Sequence, residues 1–254
     1  QKGHIAHLNR RGRPVEMKKI GFYGYPPREV LEEQKERFGG ELVDLDVDLG
    51  APDYKILPEV YCHIIKNIVN NAIWLKDQLA VIVAAVGEDK CDQGRFAAKI
   101  LKDMGFEVIE TRNLNTRRLR PLRISVSDLP LREKVERIMN LIHSDDDREY
   151  RRCEPTHGFW GVPPHDMRLL DLFPNTTHVY GWTRAVEYGT PADLEAEMEV
   201  DPDVPTVFYA QAFCAKNSLA KYLAEKYDGL YLSVHGRLTN ADIAKVEAFI
   251  KLNS

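Results

Sequence analysis

Short apolar runs alternate with amphipathic stretches along almost the whole chain, the pattern of βα units built on a parallel sheet. Residues 19–23 (KIGFY) read as a strand, followed by a helix over Arg28–Phe38 that stops at Gly39–Gly40. Residues 41–47 (ELVDLDV) alternate as a second strand, and 57–73 place Val60, Ile64, Ile68 and Ile73 on one helical face. Residues 79–86 (LAVIVAAV) are continuously apolar, as suits a strand covered on both faces. A helix over 96–104, a strand over 106–109 and a helix over 132–143 complete this half.

The charged stretch at 143–150 (HSDDDREY) reads as a linker, after which the alternation resumes. Strands are expected at 158–162, 178–182, 206–212 and 229–234, with helices at 165–172, 191–198, 218–227 and 241–252. Thr239 and Asn240 offer a cap for the last helix. The expected architecture is therefore α/β: two Rossmann-like lobes with parallel sheets facing a central cleft. The first lobe covers 17–146 and the second 154–254, with a basic extension over 1–16 that lacks the apolar core of a signal peptide. No low-complexity segment and no short-period repeat is apparent.

Composition narrows the function. The 254 residues suit one large or two small domains. A net charge of −4 argues against general nucleic-acid binding, and no apolar run approaches the roughly 18 residues of a membrane span. Four cysteines without CxxC spacing, and no signal peptide, point to a reducing cytoplasm rather than a disulfide framework.

Three of those cysteines carry the candidate chemistry. Cys62, Cys91 and Cys214 all lie at or near a helix start, and two of them follow strand-like runs. In an open α/β sheet these positions share one rim, where ligands bind. Thiols at helix N-termini tend toward the thiolate, the metal-binding form. The alternative is that each thiol packs as a small hydrophobe.

Several segments together resemble the D-component family of 2-hydroxyacyl-CoA dehydratases, related to benzoyl-CoA reductase subunits. They are KKIGFYGYPPREVLEEQ, ILPEVYCHIIKNIVNNA, LAVIVAAVGEDKCDQGRFAAKIL, FWGVPPHDMRLLDLFPNTTHVYGWTRAVE, PTVFYAQAFCAKN and IAKVEAFIKL, which run in family order from about 17 to 252. The resemblance implies a [4Fe-4S] cluster between the lobes, ligated by Cys62, Cys91 and Cys214. Cys153 matches no family cysteine: it is a fourth ligand if the site is closed, or else a packed or exposed thiol in a linker. It implies one-electron reductive chemistry on a thioester or related substrate, making the chain a dehydratase or reductase of anaerobic metabolism. The alternative is a non-catalytic electron-transfer or cluster-carrying subunit. Implied partners are a similar subunit or a second copy of the chain, and an ATP-dependent iron–sulfur activator. The chain is considerably shorter than those subunits, which leaves the substrate open. A third reading is a zinc or corrinoid site built on Cys91 and a nearby histidine.

The remaining candidates have structural alternatives. Glu154 and His157 are acid–base candidates beside the cleft, or part of a solvated loop. His165, His178 and His235 lie at strand or helix edges, where a hydrogen-bonding role is commoner than a ligand role. Arg112, Arg117, Arg118, Arg120 and Arg123 form a basic stretch suited to an anionic group such as a coenzyme A phosphate, or to solvent. Tyr180, Trp182 and Arg184 are placed to line the cleft, or to fill core.

Overall fold

The computed structural model describes residues 18–87, 90–113 and 121–254. Its architecture is two four-stranded, all-parallel sheets flanked by helices. The first contains β1 (Lys19–Tyr23), β2 (Glu41–Asp44), β3 (Leu79–Ala85) and β4 (Val108–Thr111), in the order β2-β1-β3-β4. Its helices are α1 (Arg28–Phe38), α2 (His63–Trp74) and α3 (Asp92–Asp103). A fourth helix, α4 (Leu131–Asn140), leads toward the second sheet.

The second sheet contains β5 (His157–Trp160), β6 (Thr177–Tyr180), β7 (Thr206–Gln211) and β8 (Leu230–Val234), ordered β6-β5-β7-β8. Its helices are α5 (Gly181–Tyr188), α6 (Leu194–Met198), α7 (Asn217–Lys226) and α8 (Asn240–Leu252), with a 3-10 helix over Met167–Leu172. The strand order is that of the first sheet repeated.

Three apolar clusters hold the molecule together. One face of each sheet has its own core: Tyr23, Ile82 and Ala84 under α2 and α3, and Trp160, Phe208 and Ala210 under α7. The opposite faces share a single core. It runs from Ile20, Phe22, Val81 and Val83 through Leu131, Val135 and Ile138 of α4 to Phe159, Val179, Val207 and Leu232. Burial of this apolar surface is the main force joining the halves. Helix α4 also packs on β6, α5 and the 3-10 helix.

Three elements differ from expectation. Helix α5 has no counterpart among the expected elements, and its first two residues, Gly181 and Trp182, were expected as the end of a strand, because β6 turns into it directly at Gly181. Helix α2 begins at His63 rather than 57, since Pro58 disfavours helical backbone in the residue before it. The helix expected over 165–172 is a 3-10 helix started by Asp166, whose carboxylate accepts from the Arg168 N–H.

Candidate functional site

In a sheet of this kind the ligand crevice opens where the chain order reverses, between β1 and β3 and, equivalently, between β5 and β7. The same turn leaves the first strand of each sheet: FYGYPP at 22–27 and FWGVPP at 159–164. Gly24 and Gly161 both have positive φ, 77° and 153°. A Cβ on Gly24 would stand 2.8 Å from Lys90 Nζ and 2.9 Å from Ala85 Cβ. One on Gly161 would stand 2.6 Å from the Tyr209 carbonyl oxygen. Glycine thus lets each turn close against its neighbouring strand.

The two crevice rims meet each other. His63 opens α2 on the first rim, and its ring stacks on His165 of the second, with centroids 4.6 Å apart. It also lies 5.4 Å from the ring of His235, which follows β8. Phe213 packs edge-on against His235, and Gln93 Nε2 donates to the Phe213 carbonyl at 3.3 Å. Asp48 Oδ2 stands 4.0 Å from His165 Nε2.

Burial sets the protonation of this junction. His63 is pushed down to about 4, first by desolvation and then by the neighbouring His165 and His235, so its imidazole is neutral at pH 7. At the end of β2, Asp44 is raised above the usual carboxylate range by burial and by Asp46, while Lys90 opposes the shift. Asp46 is also raised by burial, and its Oδ2 accepts from Gly24 N–H at 2.6 Å. Five buried polar atoms on the two rims have no partner among the described residues: His63 Nε2, His165 Nδ1, Gln93 Oε1, Gln211 Oε1 and Asp46 Oδ1. The orientation of the Gln93 amide is fixed by its bond to Phe213, which makes its free atom an acceptor.

The expected thiols reach this region. Cys62 is the N-cap residue of α2, Cys91 that of α3, and Cys214 lies three residues before α7. Their chemistry differs from expectation. Burial, reinforced by Cys214 and Cys91, pushes Cys62 up to about 11, and burial also raises Cys214. Desolvation outweighs the helix-terminus effect, so both are thiols rather than thiolates.

Among the described residues, no group of three or more His, Cys, Asp or Glu side chains comes together in a way that could hold a metal ion. This overturns the expected [4Fe-4S] cluster on Cys62, Cys91 and Cys214. The one-electron chemistry and the electron-carrier alternative required that cluster and fall with it. The zinc reading on Cys91 fails for the same reason. Cys153 is no fourth ligand either: its thiol donates to the Ser127 carbonyl at 3.1 Å, beside His178.

Other candidates turn out to be structural. His178 Nε2 lies 2.9 Å from the Cys153 carbonyl, and His157 Nε2 lies 3.2 Å from that of Ile250. Glu154 is exposed. Tyr180 belongs to the private core of the second sheet, and Trp182 packs on the shared core. Arg184 is buried over Tyr180 and donates to the Ala196 and Glu199 carbonyls. Arg123 donates to the Asp146 and Arg148 carbonyls, whereas Arg117, Arg118 and Arg120 lie outside the described residues. His165 and His235 do reach the junction. Sequence reasoning missed His63, Gln93, Gln211 and Asp46, and the doubled GxPP turn was the signal that both rims are built alike.

No family model matches the chain, and a search of curated proteins returns no match. No helix among the described residues is long and apolar enough to cross a membrane.

Proposed function

We propose that the chain binds a small polar molecule where its two crevice rims meet, and that the molecule offers hydroxyl or amino groups to the free acceptors there. The observation that carries this reading is the set of five unpartnered polar atoms drawn from both rims. Each buried group left without a partner costs about 1–3 kcal/mol, so a molecule that satisfies several is bound strongly. The chemistry on offer is proton transfer: the imidazole of His63, neutral at pH 7, is suited to accept a proton from a bound molecule. The protonated thiols of Cys62 and Cys214 are poor nucleophiles by comparison.

The resemblance to dehydratase subunits supports a ligand between the lobes, and only that placement is carried over. A similar subunit or a second copy of the chain is the partner it suggests. Tyr54, Ile56 and Val60, exposed on the long segment before α2, are apolar surface such a partner would cover. Four free cysteines favour a cytoplasmic location.

The test is thermal denaturation of the whole chain against a panel of polyols, amino alcohols and hydroxy acids. At about 100 times its Kd a true ligand adds roughly 2.7 kcal/mol, which reads as a rise of several degrees in Tm. Gln93→Leu and Gln211→Leu should lose that rise. The proposal is sunk if no panel member raises the Tm of the parent, or if both variants keep the parent's rise.

A further inference from the structure

The two halves are joined unequally. On one side they share a continuous apolar core through α4, which resists separation. On the other, where the rims meet, the contact is mainly ring against ring: His63 of the first half on His165 and His235 of the second. We infer that these three imidazoles form an acid-released latch that controls entry to the junction between the rims. The inference concerns regulation of the ligand site proposed above and rests on that site for its purpose.

Neutral rings can stack at 4.6 Å, as His63 and His165 do, or pack tilted at 5.4 Å, as His63 and His235 do, whereas imidazolium rings at those separations repel. The surroundings do not supply enough opposite charge to prevent this. On α2, Lys66 adds positive charge facing His63, and it is already paired with Asp53. On the segment after β2, Asp48 is the carboxylate that reaches His165. On the segment after β5, Asp166 is engaged by Arg168. On the segment before α7, Lys216 is engaged by Glu197, and on α3, Asp92 faces Arg95. Arg237 follows His235 by two residues and adds no negative charge.

The depressed protonation of His63 agrees with this geometry. A histidine held neutral in the closed form but free to protonate in the open one makes closure weaker as pH falls through about 6.5 toward 4. The backbone of the turn after His235 also comes close to this ring: a Cβ built on Gly236 would stand 3.2 Å from His63 Nε2. A single charged ring at the centre therefore affects both neighbours at once.

Cys62 reports on the latch because it immediately precedes His63 and is buried, at 7% exposure, while Cys91 is exposed and serves as an internal reference. The probe is 4,4′-dithiodipyridine, with labelling at each cysteine read by mass spectrometry. The cysteine sulfur forms a mixed disulfide, and thiopyridone leaves as the probe's own disulfide breaks. Without any ligand, the Cys62-to-Cys91 labelling ratio should rise about five-fold or more between about pH 7.5 and 5.5, as expected of local opening. His63→Gln should make the ratio independent of pH. Should that variant fail to fold, His235→Gln, at an exposed position, should at least halve the rise. A flat ratio in the parent protein, or a full rise in both variants, overturns the latch. Because no ligand is present, neither outcome bears on the thermal-shift test of the binding site.

Discussion

The two halves share a strand order and a turn, yet they finish their edges differently. In the second half every residue of β5, β6 and β7 is buried, and edge strand β6 is covered by the connecting segment, with Val179 N–H bonded to the Ser125 carbonyl. Glu187 gathers the N–H groups of Arg123, Ile124 and Ser125 on its carboxylate, and Lys134 donates to the Asn175 and Thr177 carbonyls. In the first half, edge strand β2 is partly exposed. Helices α1, α2 and α3 start from Pro27, Cys62 and Cys91 with no side-chain cap, whereas in the second half α6 and α8 are capped by Asp193 and Thr239 and only α5 and α7 are not. One half is locked by its connecting segment. The other has no such lock on β2 and carries a long loop on the rim, which is where adaptation to a ligand is cheapest.

The sharpest way to break this contrast is to unlock the second half. Glu187→Ala leaves three backbone donors without their acceptor at a buried site and should cost about 3–5 kcal/mol in urea denaturation. A loss below about 1 kcal/mol would mean the connecting segment is not held there.

The paired turns allow a direct comparison of the halves. Gly161→Ala drives a Cβ into the Tyr209 backbone oxygen, and it should cost about 3 kcal/mol. Gly24→Ala meets the tip of Lys90, which can move, and the side chain of Ala85, so about 1–2 kcal/mol is expected. Equal costs would show that the two turns are equally rigid and that the contrast between halves fails at the rim.

Lys134 gives the same comparison a pH signature. Burial lowers its ammonium from the ordinary lysine range to about 8. The native state therefore binds fewer protons than the unfolded chain between about pH 8 and 10.4, and stability contributed through this group rises with pH across that window. Lys134→Met should remove the rise. Measured as the difference between the two denaturation curves, it should approach about 2 kcal/mol by pH 10. A parallel pair of curves would place Lys134 in contact with water.

The parallel sheets were legible because LAVIVAAV is continuously apolar and TVFYAQA nearly so, each short and β-rich as strands covered on both faces are. Helix α5 was not, since GWTRAVEY follows its strand with no intervening loop to mark the change. The site was legible in position and not in chemistry. Helix starts put Cys62, Cys91 and Cys214 on the rims, but the protonation of Cys62 depends on burial, which only tertiary packing decides. His165 and His235 could be singled out one at a time. Their meeting with His63 depends on how two sheets dock, and no local spacing encodes that.

The smallest effect is also the most pointed test of the free helix ends. In the second half, α8 starts with a full capping box, in which Thr239 accepts from Asp242 N–H and Asp242 accepts from Thr239 N–H. Thr239→Ala should cost about 1 kcal/mol. In the first half the exposed Cys91 leaves α3 without a side-chain cap, so Cys91→Ser should do the opposite and add about 0.5 kcal/mol. If the open end of α3 serves a ligand, that gain comes with weaker binding, because the serine oxygen occupies N–H groups the ligand would use. Stability and binding should then move in opposite directions in Cys91→Ser and remain uncoupled in Thr239→Ala. A Cys91→Ser variant that gains stability with undiminished ligand-induced rise in Tm would assign the bare helix end to the fold alone.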